Sequence, residues 1–319
     1  MIEKTCVIGA GTIGSLCAAH LGRNTEVSVL TRRSEHADAL NHEGLRISGK
    51  SDVHTELFAT TDPESLPEPD LVIVATKATQ ITQAANALAG RFPKAVVLTI
   101  QNGIGTEEVV HRSGPWPVVS SVTFMSGVRE SDSHVHYELD TPTWMGPYPL
   151  SGADYDTARA IGDLFAASGL KAEVMADVRT AQWSKLIFNA SVNSVAALTD
   201  LPHVSLFARR DRPTDLGHLM HDLIEEGKAV AAAAGIELFE DPWEMNVQAV
   251  TTGRTHDENY AHVPSMLTDV RAGQRTEIDF ILGSIVREAD RLGLSVPLSR
   301  ALYRLVKARD RSYDDEEAL

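Results

Sequence analysis

The stretch that decides the fold is Thr5-Cys-Val-Ile-Gly9-Ala-Gly11-Thr-Ile-Gly14, an apolar run followed by three spaced glycines. Apolar residues continue after it at helical spacing, so a strand, a tight turn and a helix are predicted. In such a unit the first glycine permits the turn, the second lets the backbone approach a pyrophosphate, and the third lets the helix pack close to the strand. The positive end of the helix dipole then favours the negatively charged pyrophosphate of a dinucleotide. The predicted contacts are Gly9, Ala10, Gly11, Thr12, Ile13 and Gly14.

The choice of dinucleotide depends on the end of the second strand, where an acidic residue would bind the ribose hydroxyls of NAD. Here that strand ends Val29-Leu30-Thr31-Arg32-Arg33-Ser34. A guanidinium group can donate two hydrogen bonds at once to a phosphate, so Arg32 and Arg33 favour the 2′-phosphate of NADP (NADPH).

The first half of the chain alternates apolar runs with helical patterns, which is typical of a parallel sheet covered by crossover helices. Two later segments, His134–Leu139 and Thr143–Gly146, are predicted as antiparallel additions at the sheet edge. The fold class is therefore α/β, with an N-terminal Rossmann-type sheet. The strands predicted for its parallel part are Thr5–Ile8, Glu26–Leu30, Leu71–Thr76 and Ala95–Ile100.

From Asp177 onward the strand signals nearly vanish and amphipathic helical patterns replace them. We predict two domains, a dinucleotide-binding domain over residues 1–176 and an all-α substrate domain over residues 177–319. Helices are predicted at Leu216–Ala234 and Ser265–Ala272, and another is predicted to begin at Thr276.

Composition narrows the function classes. A formal net charge of −15 opposes binding to nucleic acid or to anionic lipid, and no window is apolar enough to cross a membrane. The N-terminus lacks the pattern of a secretory signal, so a cytoplasmic protein is expected. Cys6 and Cys17 are expected to be buried, reduced and inert. No metal site is predicted, although His218, His221 and Glu225 fall near one helical face.

Polar residues follow the fourth and fifth strands of this pattern. Lys77 lies in Thr76-Lys77-Ala78-Thr79-Gln80, and Asn102 lies in Gln101-Asn102-Gly103. Because ligands of open parallel sheets bind beyond the carboxyl ends of the strands, both residues are candidates to line a site.

A polar stripe marks the first helix of the second half. Lys185, Asn189 and Asn193 recur every four residues among large apolar side chains. Burying lysine and asparagine without partners costs a few kcal/mol each, so the stripe should face a polar partner, a cleft or water. Further along, Pro264 and Ser265 are typical of a helix start, where a hydroxyl and free N–H groups are able to donate hydrogen bonds to a carboxylate.

Together these motifs resemble the ketopantoate reductase (2-dehydropantoate 2-reductase) family. The resemblance runs in family order from residue 9 to residue 279. It is carried by the glycine motif, Thr76-Lys77-Ala78-x-Gln80, Gln101-Asn102-Gly103, Trp183-x-Lys185-x-x-x-Asn189-x-x-x-Asn193, Ser265-Met266-Leu267-x-Asp269-x-Arg271 and Thr276-Glu277-Ile278-Asp279.

The resemblance implies reduction of the 2-oxo acid ketopantoate by NADPH, giving pantoate for pantothenate and coenzyme A biosynthesis, in a cleft between the two domains. It makes Lys185 the general acid and Glu277 its acidic partner. It places the cofactor also near Lys77 and Asn102. The substrate-binding positions that it implies are Asn102, Lys185, Asn189, Asn193 and Ser265.

One region departs from the family pattern. Residues 128–140 lack the glycines expected there, and His262 stands where the family often has asparagine or another residue. Pocket shape alone separates related oxo acids, so an NADP-dependent reductase of another small 2-oxo acid stays open. A non-catalytic NADPH-sensing protein is a further alternative, and the apolar helices of the second domain are compatible with a homodimer.

Overall fold

The computed structural model of the chain describes residues 2–209, 215–251 and 262–312. It divides into two compact units. Unit 1 comprises Met1–Gln101 and Gly105–Val178, and unit 2 comprises Asn102–Ile104 and Arg179–Leu319. A three-residue stretch that follows a strand of unit 1 along the chain is thus part of unit 2.

Unit 1 contains all the strands of the described residues and five of the helices. The strands are β1 (Lys4–Ile8), β2 (Glu26–Leu30), β3 (Leu45–Gly49), β4 (Val53–Thr55), β5 (Phe58–Thr60), β6 (Leu71–Val74), β7 (Val96–Thr99), β8 (Val118–Thr123), β9 (Ser126–Arg129), β10 (His134–Leu139), β11 (Thr143–Pro147) and β12 (Ala172–Val174). The helices are α1 (Thr12–Leu21), α2 (Ser34–Glu43), α3 (Ile81–Leu88), α4 (Thr106–Ser113) and α5 (Tyr155–Ala167).

The main sheet of unit 1 has eight strands in the order β12-β11-β8-β7-β6-β1-β2-β5. Its centre is parallel, since β1 pairs in parallel with β2 and β6, and β6 pairs in parallel with β7. Every residue of β6 is buried, as expected for a strand covered on both faces. The parallel strands therefore end at one edge, where the turns after β1, β2, β6 and β7 emerge. The predicted α/β class is confirmed.

The prediction for the two later strands is half right. β11 does pair antiparallel with β8 in the main sheet. β10, however, belongs to a second, four-stranded sheet in the order β4-β3-β10-β9, where it is parallel to β3 and antiparallel to β9. Val135 and Tyr137 alternate toward the core from β10, and this alternation indicates a one-sided strand without saying which sheet it joins.

Unit 2 is helical over its described residues, apart from an isolated bridge between His203 and His262. Its helices are α6 (Arg179–Thr199), α7 (Asp215–Ala233), α8 (Pro242–Thr251), α9 (Ser265–Arg271), α10 (Leu282–Leu292) and α11 (Pro297–Ser312). None of the helices in the described ranges is long and apolar enough to cross a membrane.

A helix does follow Thr276, but its predicted start at this residue is wrong. Residues 277–281 form a bend and turns, and α10 begins only at Leu282. The backbone N–H and the hydroxyl of Thr276 both donate to Asp310 Oδ2, over 3.3 and 2.8 Å. These bonds tie Thr276 to α11, a contact that helical periodicity does not reveal.

Candidate active site

The glycine turn, residues 9–14, joins β1 to α1 in unit 1. Gly9 has φ of +95°, and a Cβ there would lie 2.9 Å from the backbone nitrogen of Thr76. A Cβ on Gly14 would clash with the carbonyl oxygen of Gly9. Gly11 is different, because it is exposed and a Cβ there would meet no atom of the described structure within 4 Å. Gly9 and Gly14 thus shape the turn, and Gly11 leaves space above it.

The other turn residues begin α1. Ala10 is buried, whereas Thr12 and Ile13 are half-buried in the first turn of the helix. The first N–H groups of a helix have no partner inside it, so this turn presents donors and a positive dipole end. This arrangement fits an anionic pyrophosphate.

Two buried polar atoms lie after neighbouring strands of the main sheet. Thr76 Oγ1, beyond β6, and Gln101 Oε1, beyond β7, have no hydrogen-bond partner within the described part of the chain. The Gln101 side chain is held in place because its Nε2 donates to Val74 O over 2.6 Å. Buried polar groups are rarely left unpaired, so both atoms point to a polar ligand beyond the ends of β6 and β7, where Thr76 adjoins Gly9. The sequence motifs contained both residues, but the predicted contacts did not.

Lys77 follows Thr76 directly and is half-buried, at the start of the 3₁₀ turn Ala78–Gln80. Arg32 and Arg33 are exposed just beyond β2, and Arg33 immediately precedes α2, at its N-cap position. An unexpected contact occurs here, since Arg33 Nη2 lies 2.5 Å from Asp132 Oδ1. The turn and the two orphaned atoms together fit a dinucleotide, and Arg32 and Arg33 place two cations just beyond β2.

In unit 2, Lys185 lies in the second turn of α6 and is only 9% exposed. Its Nζ donates to Asn102 Oδ1 over 2.8 Å. Burial lowers the pKa of Lys185 from the usual 10.5 to about 8, and the negative charge of Glu277 acts against that decrease. The amine therefore loses its proton around pH 8 and is mostly protonated at pH 7, as a general acid must be before it donates.

The position of Asn102 is fixed by the residues that follow it. Gly103 has φ of +93°, and a Cβ there would clash with the carbonyl oxygen of Phe280. Ile104 donates its N–H to Phe280 O over 3.1 Å and accepts from the Ser284 hydroxyl over 3.2 Å. The Gln-Asn-Gly motif thus allows the backbone to pack against the turn before α10 while Asn102 contacts the lysine.

Glu277 is buried in the turn before α10, and its charge acts on Lys185. The next acidic residue, Asp279, behaves differently because it accepts hydrogen bonds from Tyr303 Oη and Lys307 Nζ, each over 2.7 Å. Although partial burial raises the pKa of Asp279, these bonds lower it below its ordinary value. Within one motif, Glu277 thus contributes to the lysine site, defined as Asn102, Lys185 and Glu277, and Asp279 secures α11.

The remaining predicted positions lie along α6 and at α9. Asn189 is half-buried one turn after Lys185. Asn193 is buried, and its Oδ1 accepts from the N–H of Met266 over 3.1 Å. Ser265 is exposed in the first turn of α9. Lys185 and Asn193, the two buried residues of the stripe, therefore have polar partners, and Asn193 already uses one of the free N–H groups expected at the start of α9.

No group of three or more potential metal ligands occurs among the residues that the structure describes. His221 Nε2 does lie 4.0 Å from Glu225 Oε1. Both cysteines are free and buried, and burial raises the pKa of each to about 12.

Two family models match the chain. One, described as ketopantoate reductase PanE/ApbA, matches residues 5–149, and the other, described as its C-terminal part, matches residues 177–310. A 2-dehydropantoate 2-reductase from Pyrococcus horikoshii is 32% identical over 309 residues, covering 96% of this chain and 97% of the relative.

Solved structures agree with these matches. A PanE/ApbA family ketopantoate reductase from Ralstonia eutropha JMP134 is 28% identical, with a TM-score of 0.83 over 98% of this chain and 100% of that one. A D-mandelate dehydrogenase, solved with NADH and anilino(oxo)acetate, has a TM-score of 0.82 over 98% of this chain and 100% of its own. At 24% identity this second likeness concerns the fold alone.

Proposed function

This chain belongs to the ketopantoate reductase family, and on that premise we propose that it reduces 2-dehydropantoate to pantoate with NADPH. The observation that carries the proposal is the buried amine of Lys185, hydrogen-bonded to Asn102 and with a pKa of about 8. The reaction turns a carbonyl oxygen into an alkoxide, which requires a proton donor and a positive charge beside it.

Lys185 serves as the general acid. Reduced nicotinamide, when bound, supplies the hydride that adds to the 2-oxo carbon. The ammonium group of Lys185 stabilises the charge that develops on the oxygen and gives it a proton, so the product is a hydroxyl and the lysine becomes neutral. Asn102 orients the amine through its side-chain oxygen, and Glu277 favours its charged form.

The substrate contacts in this proposal are Asn102, Lys185, Asn189, Asn193 and Ser265. They offer amide, hydroxyl and ammonium groups, which suit the carboxylate and hydroxyl groups of a small oxo acid. This assignment is supported by the location of all five residues in unit 2, three of them on α6.

The cofactor contacts are proposed to be the glycine turn, Arg32, Arg33, Lys77 and Asn102. Preference for NADP over NAD is supported by the two exposed guanidinium groups beyond β2, in the place where NAD-specific proteins carry an acid. We accordingly propose residues 1–176 as the NADP-binding domain and residues 177–319 as the substrate and catalytic domain.

The test is the oxidation of NADPH, and separately of NADH, by the purified chain. We expect the highest kcat/KM with NADPH and 2-dehydropantoate. The panel includes other branched 2-oxo acids and aromatic ones, because residues 128–140 depart from the family pattern. A higher kcat/KM with another oxo acid would identify that acid as the substrate in place of 2-dehydropantoate. Tight NADPH binding without turnover on any oxo acid would indicate a sensing protein.

A homodimer and a cytoplasmic location complete the proposal. Exposed apolar side chains of unit 2, such as Phe239 and Leu305, support self-association, and the buried free cysteines suit a reducing compartment. Sedimentation equilibrium tests the first and cell fractionation tests the second.

A further inference from the structure

The pairing of Arg33 with Asp132 joins two segments that are 99 residues apart in the chain. Asp132 lies at the tip of the hairpin formed by β9 and β10, inside the stretch that departs from the family pattern. Its carboxylate is 2.5 Å from Arg33 Nη2 and 4.0 Å from Arg129 Nη1. One anion is therefore shared between cations that come from two different elements.

The hairpin places this carboxylate at the phosphate end of the proposed cofactor site. At its base, a Cβ on Gly127 of β9 would lie 3.4 Å from Thr12 Cγ2, in the glycine turn. At its tip, Asp132 meets Arg33 just beyond β2. The hairpin thus runs from the residues that face a pyrophosphate to those that face a 2′-phosphate.

The tip is held in a defined conformation. Glu130 and Ser131 both donate their N–H groups to His134 O, over 2.9 and 3.2 Å. The hydroxyl of Ser133 donates to Glu43 Oε2 at the end of α2, and Ser133 O accepts from the N–H of Arg46 over 2.8 Å. Because the backbone on both sides of Asp132 is hydrogen-bonded, the tip holds this residue beside Arg33.

The charges around Asp132 imply that its carboxylate and a 2′-phosphate compete for Arg33. His36 is buried beside this cluster, and burial lowers its pKa, so it adds little positive charge at neutral pH. Arg33 and Arg129 are about half exposed, which leaves their outer faces open to an anion. A 2′-phosphate that binds Arg33 must displace the Asp132 carboxylate or accept it as a like-charged neighbour.

We propose that Asp132 is a coenzyme-specificity residue that weakens binding of the 2′-phosphate by occupying Arg33. The inference rests on the proposed dinucleotide site and deepens it. The chain then discriminates between NADPH and NADH less strongly than Arg32 and Arg33 alone would allow.

The test compares Asp132→Asn with the unaltered chain in direct nucleotide binding, without any oxo acid. Dissociation constants are measured at low salt for NADPH, NADH, adenosine 2′,5′-bisphosphate and AMP. We expect about three- to tenfold tighter binding of the two nucleotides that carry a 2′-phosphate, in the range of a partly exposed charge pair, and little change for the other two. A rise of at least twofold in the ratio of the NADH constant to the NADPH constant supports the proposal, and a smaller rise or a fall overturns it.

Two further variants exclude simpler explanations. Asp156→Asn removes one charge from the exposed pair of Asp156 and Arg159 in α5, and it should leave the ratio unchanged. In an Arg33→Ala background, Asp132→Asn should lose more than half of its effect on NADPH binding. A full effect in that background, or an equal effect of Asp156→Asn, overturns the role assigned to Asp132. Because only binding is measured, failure here leaves the turnover assay untouched, and absence of turnover leaves this ratio measurable.

Discussion

The glycine turn of unit 1 and the lysine site of unit 2 are built in opposite ways. The turn consists of six consecutive residues, and its chemistry comes from backbone N–H groups and from the absence of side chains. The lysine site consists of side chains at positions 102, 185 and 277, which only the tertiary structure brings together. A binding surface for a common cofactor needs little more than backbone shape, whereas acid catalysis requires one side chain with an adjusted pKa.

Because the lysine site depends on one side chain, a single substitution there should cause the largest loss of activity. Lys185→Ala should lower kcat at least about a hundredfold, the usual effect of removing a positioned general acid, while NADPH binding changes little. Steady-state kinetics and nucleotide titration measure the two effects. Lys171→Ala, at an exposed lysine paired with Asp140, is the matched control and should keep its turnover. Normal turnover of Lys185→Ala would remove this residue from the mechanism.

In the glycine turn, substitutions of Gly11 and of Gly14 should have different effects. Gly11→Ala should fold normally, because its φ of −74° suits alanine and the new Cβ meets no described atom. It should nevertheless raise the Kd for NADPH about tenfold, or about 1.4 kcal/mol, since the methyl group takes space that the proposed site leaves for the pyrophosphate.

Gly14→Ala is the companion variant, and it should lower the free energy of unfolding by about 1–3 kcal/mol because the Cβ clashes with Gly9 O. Urea unfolding and nucleotide titration distinguish the two variants. Unchanged NADPH affinity in Gly11→Ala would contradict the assignment of the turn to the cofactor.

A smaller effect is expected when the charge beside the lysine is removed. Glu277 raises the pKa of Lys185, so Glu277→Gln should lower this pKa further below about 8. The protonated amine is then lost at a lower pH, and the alkaline limb of kcat/KM should move in the same direction. A pH profile measures the shift, and a limb that stays in place or moves to higher pH would show that Glu277 does not act on the lysine.

The smallest effect on activity is expected two residues away. Asp279 already accepts hydrogen bonds from Tyr303 and Lys307, so Asp279→Asn should leave kcat within about twofold. It should lower the free energy of unfolding by no more than about 1 kcal/mol, since the ion pair between Asp279 and Lys307 is partly exposed. Urea unfolding and steady-state kinetics check both numbers, and a tenfold loss of kcat would place Asp279 in the active site.

Features determined by local sequence were predictable. The strand, turn and helix around Gly9 follow from residues within one window, and β2 and β10 begin and end where the apolar pattern predicts. The stripe of Lys185, Asn189 and Asn193 is also local, because helical periodicity alone puts these residues on one face.

Features determined by distant partners were not predictable from those patterns. Thr276 donates to Asp310, 34 residues further on, instead of starting a helix. β10 joins the second sheet by pairing with β3, and the alternation of its residues does not specify this partner. The contact between Arg33 and Asp132 likewise depends on how the hairpin lies in unit 1. The family resemblance, rather than periodicity, pointed to Glu277 as the acidic neighbour of the lysine.

The assignment of Asn102–Ile104 to unit 2 has a consequence for protein engineering. A recombinant fragment starting at Arg179 would carry Lys185 without the amide oxygen that orients it. A chimera that exchanges residues 179–319 for those of a relative would still take this tripeptide from the recipient, and its compatibility with the donor's turn before α10 would determine whether the hybrid works.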